Sequence, residues 1–156
     1  MPRPSTRDRV LAGNRRARFE YHVLETLEAG IVLTGTEVKA AREGKIQLRD
    51  SFVELRDGEA FLVGAHISPY SHGNRENHEP QRDRKLLLHR REIDRLLGRA
   101  IEKGLTVVPL ELRLRGNRVK VEVALVRGKK LHDKREAQKK RELDREVEEA
   151  LARRNR

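Results

Sequence analysis

Three groups of side chains in this sequence are spaced for chemistry on a polyanion. Glu37, Lys39 and Arg42 follow Thr34-Gly35-Thr36, a string that opens a helix. On one reading they form a solvated helix face and Glu37 merely caps it. On the other, the helix N-terminus and the two cations hold phosphate while the carboxylate accepts from a base edge. An acid among phosphates is unfavourable unless it meets a donor such as a guanine N–H. In the second group, Arg82, Arg84, Lys85, Arg90 and Arg91 set five cations against Asp83 within ten residues. Charge runs are commonly just solvated, but Leu86, Leu87 and Leu88 interrupt this one and are expected to anchor it, holding the cations rigid. The third group is Gly128-Lys129-Lys130-Leu131-His132-Asp133-Lys134-Arg135, which begins a basic tail directly after a strand.

Other chemistries find little support. His72, Glu76 and His78 match no common zinc spacing. A small ribonuclease using His66 or His78 lacks a paired base at any supporting spacing. With no cysteine there are no disulfides or thiolate metal sites, and a reducing compartment fits. Five aromatic residues weaken a stacking-platform reading. Pro2 and Pro4 spoil an amphipathic transit peptide, and no apolar run approaches a membrane span, so a cytoplasmic location is expected.

The net charge of +11 over 156 residues argues for a polyanionic partner, by attraction to phosphates and counterion release. Most of it lies at the ends: residues 1–18 hold six Arg against one Asp, and residues 128–156 hold eleven basic against seven acidic side chains. The expected organisation is a flexible basic arm over 1–13, a folded RNA-binding body over 14–127 and a basic tail over 128–156. The tail has too little apolar surface to offset its ordering entropy and is expected to be disordered alone. Leu143, Val147 and Leu151 nevertheless share one face at i, i+4, i+8, so helical ordering on a partner is permitted.

Several elements must position these groups. Odd positions from Phe19 to Leu33 are largely apolar, with a break at Glu25 and a bend at Ala29-Gly30. Thr34 and Glu37 stand at capping-box spacing for a short helix stopped by Gly44. Leu48–Leu55 and Ala60–Ile67 flank an Asp57-Gly58 hairpin. Residues 68–83 form a polar loop, and Ile93, Leu96, Leu97, Ala100 and Ile101 repeat as a helix stripe. Two alternating strands then flank Gly116-Asn117. About six strands and two or three helices imply a mainly β fold, a small antiparallel Greek-key barrel.

Specific strings carry a resemblance. Asn14-Arg15-Arg16-Ala17, Ala29-Gly30-Ile31, Gly35-Thr36-Glu37-Val38-Lys39, Asp50-Ser51-Phe52-Val53, Gly58-Glu59-Ala60 and His66-Ile67-Ser68-Pro69-Tyr70 occur in that order. Arg82 to Leu88, Val108-Pro109-Leu110 and Gly128 to Arg135 follow. Over about residues 14–135 the chain resembles the small protein B family, the SsrA-binding proteins of bacterial trans-translation. The first eleven or so residues match nothing of that pattern, and the far tail lacks an aromatic residue found in some relatives. The resemblance implies an oligonucleotide-binding barrel that grips the tRNA-like portion of transfer-messenger RNA and accompanies it to stalled ribosomes. It favours the RNA-binding reading of Glu37, Lys39 and Arg42, adds Asn14, Arg15 and Tyr21 to that surface, and takes Arg82, Arg84, Lys85, Lys129 and Lys130 as further RNA contacts. His132, with Asp133, Lys134 and Arg135, is implied to meet small-subunit rRNA near the decoding centre and messenger channel. Elongation factor Tu is implied as an indirect partner that hydrolyses GTP, and no cofactor or catalytic residue is implied. A ribosomal structural protein with basic arms is the rival reading.

Overall fold

The computed structural model describes residues 8–70, 77–101, 104–129 and 131–154, with the backbone alone at 131–134, 136 and 137. The chain opens with β1 (Arg9–Gly13), α1 (Arg15–Glu20) and β2 (Tyr21–Ile31), followed by α2 (Gly35–Arg42). β3 (Ile46–Gln47), β4 (Phe52–Arg56), β5 (Glu59–Val63), β6 (His66–Ile67) and β7 (Arg84–Leu87) lead to α3 (Arg90–Ala100). The long strands β8 (Leu105–Arg115) and β9 (Arg118–Gly128) precede α4 (Leu131–Arg154). Seven strands make one antiparallel sheet in the order β1-β8-β9-β2-β7-β5-β4, and β3 pairs with β6 apart from it.

The fold is mainly β and antiparallel, as the alternation implies, but among the described residues there are nine strands rather than about six and four helices rather than two or three. Its hydrogen bonding does not close into a ring. The sheet curls until β4 packs against β8 with no ladder between them. Two added strands come from a corner the periodicity hides. The expected runs Leu48–Leu55 and Ala60–Ile67 each break, one at Asp50 (φ +60°) and the other at Gly64 (φ +85°). A Cβ on Gly64 would stand 3.3 Å from the Asp50 carbonyl oxygen, so a glycine lets the two breaks pass one another. The hairpin tip is as expected: Asp57 and Gly58 have φ of +52° and +74°, both in the left-handed region that a two-residue type I′ turn requires.

Part of the expected flexible arm, which spans 1–13, is a strand, and its residues 1–7 lie outside the described residues. Residues Arg9–Gly13 pair with β8, and Leu11 is only 8% exposed, because the β8 edge offers ladder partners and an apolar slot. In β2 the interruption at Glu25 is a β-bulge against β9. A second bulge falls beside Pro109 in β8, where a proline can sit because it has no N–H to offer the ladder. β8 and β9 are buried on two faces. Val107, Leu112, Val121 and Val123 meet the main core, while Val108, Leu110, Ala124 and Val126 form a second cluster with Ala17 of α1.

α3 buries Ile93 and Leu96 yet leaves Leu97 and Ile101 exposed, so only half of the expected stripe enters the core. The tail, expected to be disordered alone, is a continuous 24-residue helix. Its composition of strong helix formers, with Lys140–Asp144, Arg145–Glu149 and Glu149–Arg153 at i, i+4, favours that state. Burial does not, since Leu143, Val147 and Leu151 remain exposed.

Candidate nucleic-acid interface

The chemistry at α2 starts from its cap. The Thr34 hydroxyl accepts from the Glu37 N–H at 3.4 Å, and Glu37 Oε1 accepts from the Thr34 N–H at 2.9 Å, the expected capping box. Glu37 does more than cap. Its side chain is 0% exposed and bridges Arg82 Nη2 at 2.6 Å and Arg84 Nε at 2.5 Å. Burial pushes its pKa up, but hydrogen bonds from Arg82, the Thr34 N–H and Arg84, with the Arg84 charge, reverse this and hold it below the ordinary 4.5.

Arg84, also 0% exposed, spends its remaining donors on the carbonyls of Ala65, Pro80 and Glu79. One ionised cluster therefore ties α2, the β5–β6 junction and the segment entering β7. This corrects two expectations. Glu37 presents no oxygen to a base edge and Arg84 no nitrogen to phosphate, because each is the other's buried partner. Arg82 lies between core and surface. Its Nη2 binds Glu37 while its side chain stays 36% exposed. His78, considered for a metal or a nuclease, is buried instead. Its ring bridges the Thr36 hydroxyl (2.9 Å) and the Ile67 carbonyl (2.8 Å), leaving neither nitrogen for a substrate. His72 and Glu76 lie outside the described residues, and among those described no cluster of potential metal ligands occurs.

The outward cations differ. Lys39 and Arg42 are exposed on α2, with the Lys39 ammonium 5.6 Å from the Tyr70 ring centre. Lys85 points away from the core because β7 alternates, and it pairs loosely with Glu59 at 3.2 Å. The same alternation exposes Leu87 (54%), although Leu86 to Leu88 as a block is expected to anchor the segment; only Leu86 is fully buried. Leu87 leans on Gly30, and Val32 beside it is also exposed. Sequence reasoning missed these two apolar residues on a cationic face. The period-two pattern of β7 was the signal for Leu87.

The remaining expected contacts fall elsewhere. Asn14 is buried and caps α1: its Oδ1 accepts from the Ala17 N–H, while its Nδ2 donates to the Pro109 carbonyl at 2.8 Å and the Leu48 carbonyl at 3.4 Å. It supports the interface rather than forming it. Tyr21 lines a cleft between α1 and the Asp50 corner. Arg15 lies with Arg18 and Phe19 against Lys140, Arg141 and Asp144 of α4. The Lys129 N–H donates to the Glu20 carbonyl at 2.9 Å, fixing where the tail leaves the body. Lys130 lies outside the described residues, as do the side chains of His132, Asp133 and Lys134; Arg135 is exposed.

Comparison with known proteins gives one answer. Residues 11–153 match the SmpB protein family. An SsrA-binding protein of Carboxydothermus hydrogenoformans is 56% identical over 144 residues, covering 92% of this chain and 97% of the relative. That of Thermosynechococcus vestitus is 56% identical over 147 residues, covering 94% and 97%. A solved structure described as "tmRNA-SmpB: a journey to the center of the bacterial ribosome" holds a chain 48% identical to this one. It covers 81% of this chain and 92% of its own, with a TM-score of 0.67. The matched span includes both the body and nearly all of α4, and the chain belongs to the SmpB family.

Proposed function

We propose that this protein is a non-catalytic adaptor that binds the tRNA-like portion of SsrA (transfer-messenger) RNA and brings it to stalled ribosomes in the cytoplasm. The observation that carries the reading is 56% identity, over 92% of the chain, to a protein named for SsrA binding. Geometry supports it independently. Lys39, Arg42 and Lys85 are exposed cations suited to phosphate, with exposed Val32 and Leu87 near Lys85 offering apolar contact and Arg82 held ready by Glu37. No helix among the described residues is long and apolar enough to cross a membrane. In this reading GTP hydrolysis belongs to elongation factor Tu and peptidyl transfer to the ribosome, so the chain needs no nucleophile.

The tail takes the ribosomal half of the task. α4 exposes cations all round, and its Leu143, Val147 and Leu151 face has no core to enter. His132 to Arg135 are proposed to meet the decoding centre, and the following turns to lie in the vacant messenger channel. The test separates body from tail. Replacing Lys39, Arg42 and Lys85 together with Ala should reduce the slope of log affinity for SsrA RNA against log salt by about 2–3 units. Deleting residues 136–156 should leave that affinity within about threefold, below roughly 0.7 kcal/mol, yet abolish peptide tagging on stalled ribosomes. Unchanged binding by the triple variant, or normal tagging by the truncated chain, would overturn the assignment.

A further inference from the structure

A cleft of about 220 Å³ separates α1 from the Asp50 corner. Arg16, Glu20 and Tyr21 line one wall, Asp50 and Phe52 the other, and Val108 the floor. Both walls are tied to one atom. The Leu48 carbonyl accepts from Asn14 Nδ2, the cap of α1, and from the Ser51 hydroxyl at 2.5 Å in the corner. The opening is therefore held by the Asn14 and Ser51 side chains converging on that carbonyl.

Two features have no role in the core. Phe52 is 43% exposed, one of only three phenylalanines, on a strand whose next residue, Val53, supplies the buried face. Asp50 holds φ at +60°, a conformation costly for most side chains but tolerated by Asp and Asn. Its carboxylate meets Arg49 only at 3.8 Å, with both side chains largely exposed, whereas Glu20 is engaged by Arg16 at 2.8 Å. Asp50 is thus the cleft's available acceptor. A cleft of this size bordered by Tyr21 and Phe52 suits a planar heterocycle, and a carboxylate held only by a loose, exposed ion pair with Arg49 selects one with adjacent N–H donors. Arg16 lines the cleft and Arg49 adjoins Asp50, so cations stand beside the mouth, where a phosphate backbone would run.

We propose that this cleft takes one unstacked guanine from an RNA loop, with Asp50 accepting from its N1–H and N2–H groups and Phe52 and Tyr21 contacting the ring. Adenine lacks that paired donor edge, and uracil offers one N–H. The inference rests on the RNA-binding reading above and adds a base-reading site apart from the Lys39, Arg42 and Lys85 face.

The test uses the full chain and end-labelled single-stranded hexamers, UUGUUU, UUIUUU (I, inosine) and UUAUUU, read by fluorescence anisotropy. The identical backbones cancel non-specific attraction. Guanine should bind at least about fivefold more tightly than inosine, which lacks the N2 amino group, or adenine. Asp50→Asn, whose side chain accepts the same φ, should fold with an unchanged melting temperature and lose the preference. Phe52→Leu should weaken the guanine hexamer while leaving SsrA RNA salt dependence intact. Equal affinity for the three hexamers, as expected if the cleft instead holds an arginine of a partner protein, would overturn the proposal, as would preference retained by Asp50→Asn. If SsrA RNA still binds while the hexamers are indistinguishable, the cleft alone is refuted; loss of both sinks the RNA-binding reading as well.

Discussion

Acidic and basic side chains fill both the α2–β7 junction and α4, and the two places use them in opposite ways. At the junction, Glu37 and Arg84 are fully buried and Arg82 half-buried, and their donors and acceptors converge on three segments distant in sequence. In α4 every described side chain is exposed, and the helix lies against α1 of the body. The difference shows why net charge alone does not locate a nucleic-acid surface. An ion pair removed from water must be satisfied internally or not formed at all, so it fixes geometry. An exposed charge is cheap, screened by salt and free to meet a partner.

The comparison breaks most visibly at the buried cluster. Glu37→Ala leaves Arg84 as a buried cation with carbonyl partners but no counter-charge, and should cost about 3–5 kcal/mol in denaturant unfolding. That is a large part of a typical domain's stability. The pH dependence has a definite sign. Glu37 titrates below 4.5 when folded and returns to its ordinary value on unfolding, so its contribution is fully present above about pH 4.5 and disappears as pH falls through the folded value. The stability gap between wild type and Glu37→Gln should therefore narrow between neutral pH and about pH 3. A gap that stayed constant would mean the carboxylate is not ionised in the fold.

The next effect sharpens where the body ends. If residues 1–13 were a free arm, removing them would change stability by less than about 1 kcal/mol. Because β1 pairs with β8 and buries Leu11, the loss should instead reach at least about 2 kcal/mol, measured by urea unfolding. A smaller loss would return β1 to the arm.

Much of this architecture was legible in the residues. The capping box at Thr34, the type I′ hairpin at Asp57-Gly58, the break in alternation at Glu25 and the β8–β9 pair all follow from local rules that tertiary context did not override. What stayed hidden depended on a partner far along the chain. Arg9–Gly13 reads as a basic arm until β8 offers it an edge, and the Asp50–Gly64 corner appears only when two strands must pass. The candidate site was half legible for the same reason. Exposed Lys39, Arg42 and Lys85 are found from charge and alternation, but nothing in the spacing of Glu37 and Arg84, 47 residues apart, tells that each neutralises the other. Lys85 and Arg84 are adjacent cations, and a single step of β alternation sends one to solvent and the other to the core.

The smallest effect concerns how firmly the exposed helix rests on the buried body. Arg141 stacks its guanidinium 4.6 Å from the centre of the half-buried Phe19 ring, the described contact that best accounts for α4 lying along α1. Such a contact contributes about 0.5–1 kcal/mol when partly exposed, a shift of roughly two- to fivefold in the docked population. Phe19→Ala and Arg141→Ala should each leave the unfolding of the body within about 0.5 kcal/mol of wild type. Both should raise the mobility of a spin label placed at Gln138, and the double variant should add nothing further, since each single change removes the same pair. A tail ordered by its own helix propensity would keep its internal helicity in all three variants while losing only its position. Far-ultraviolet dichroism separates these outcomes: helicity lost with the contact would mean that α4 depends on the body, and helicity kept would leave it an independent charged rod of about 36 Å, positioned on the body by its contact with α1.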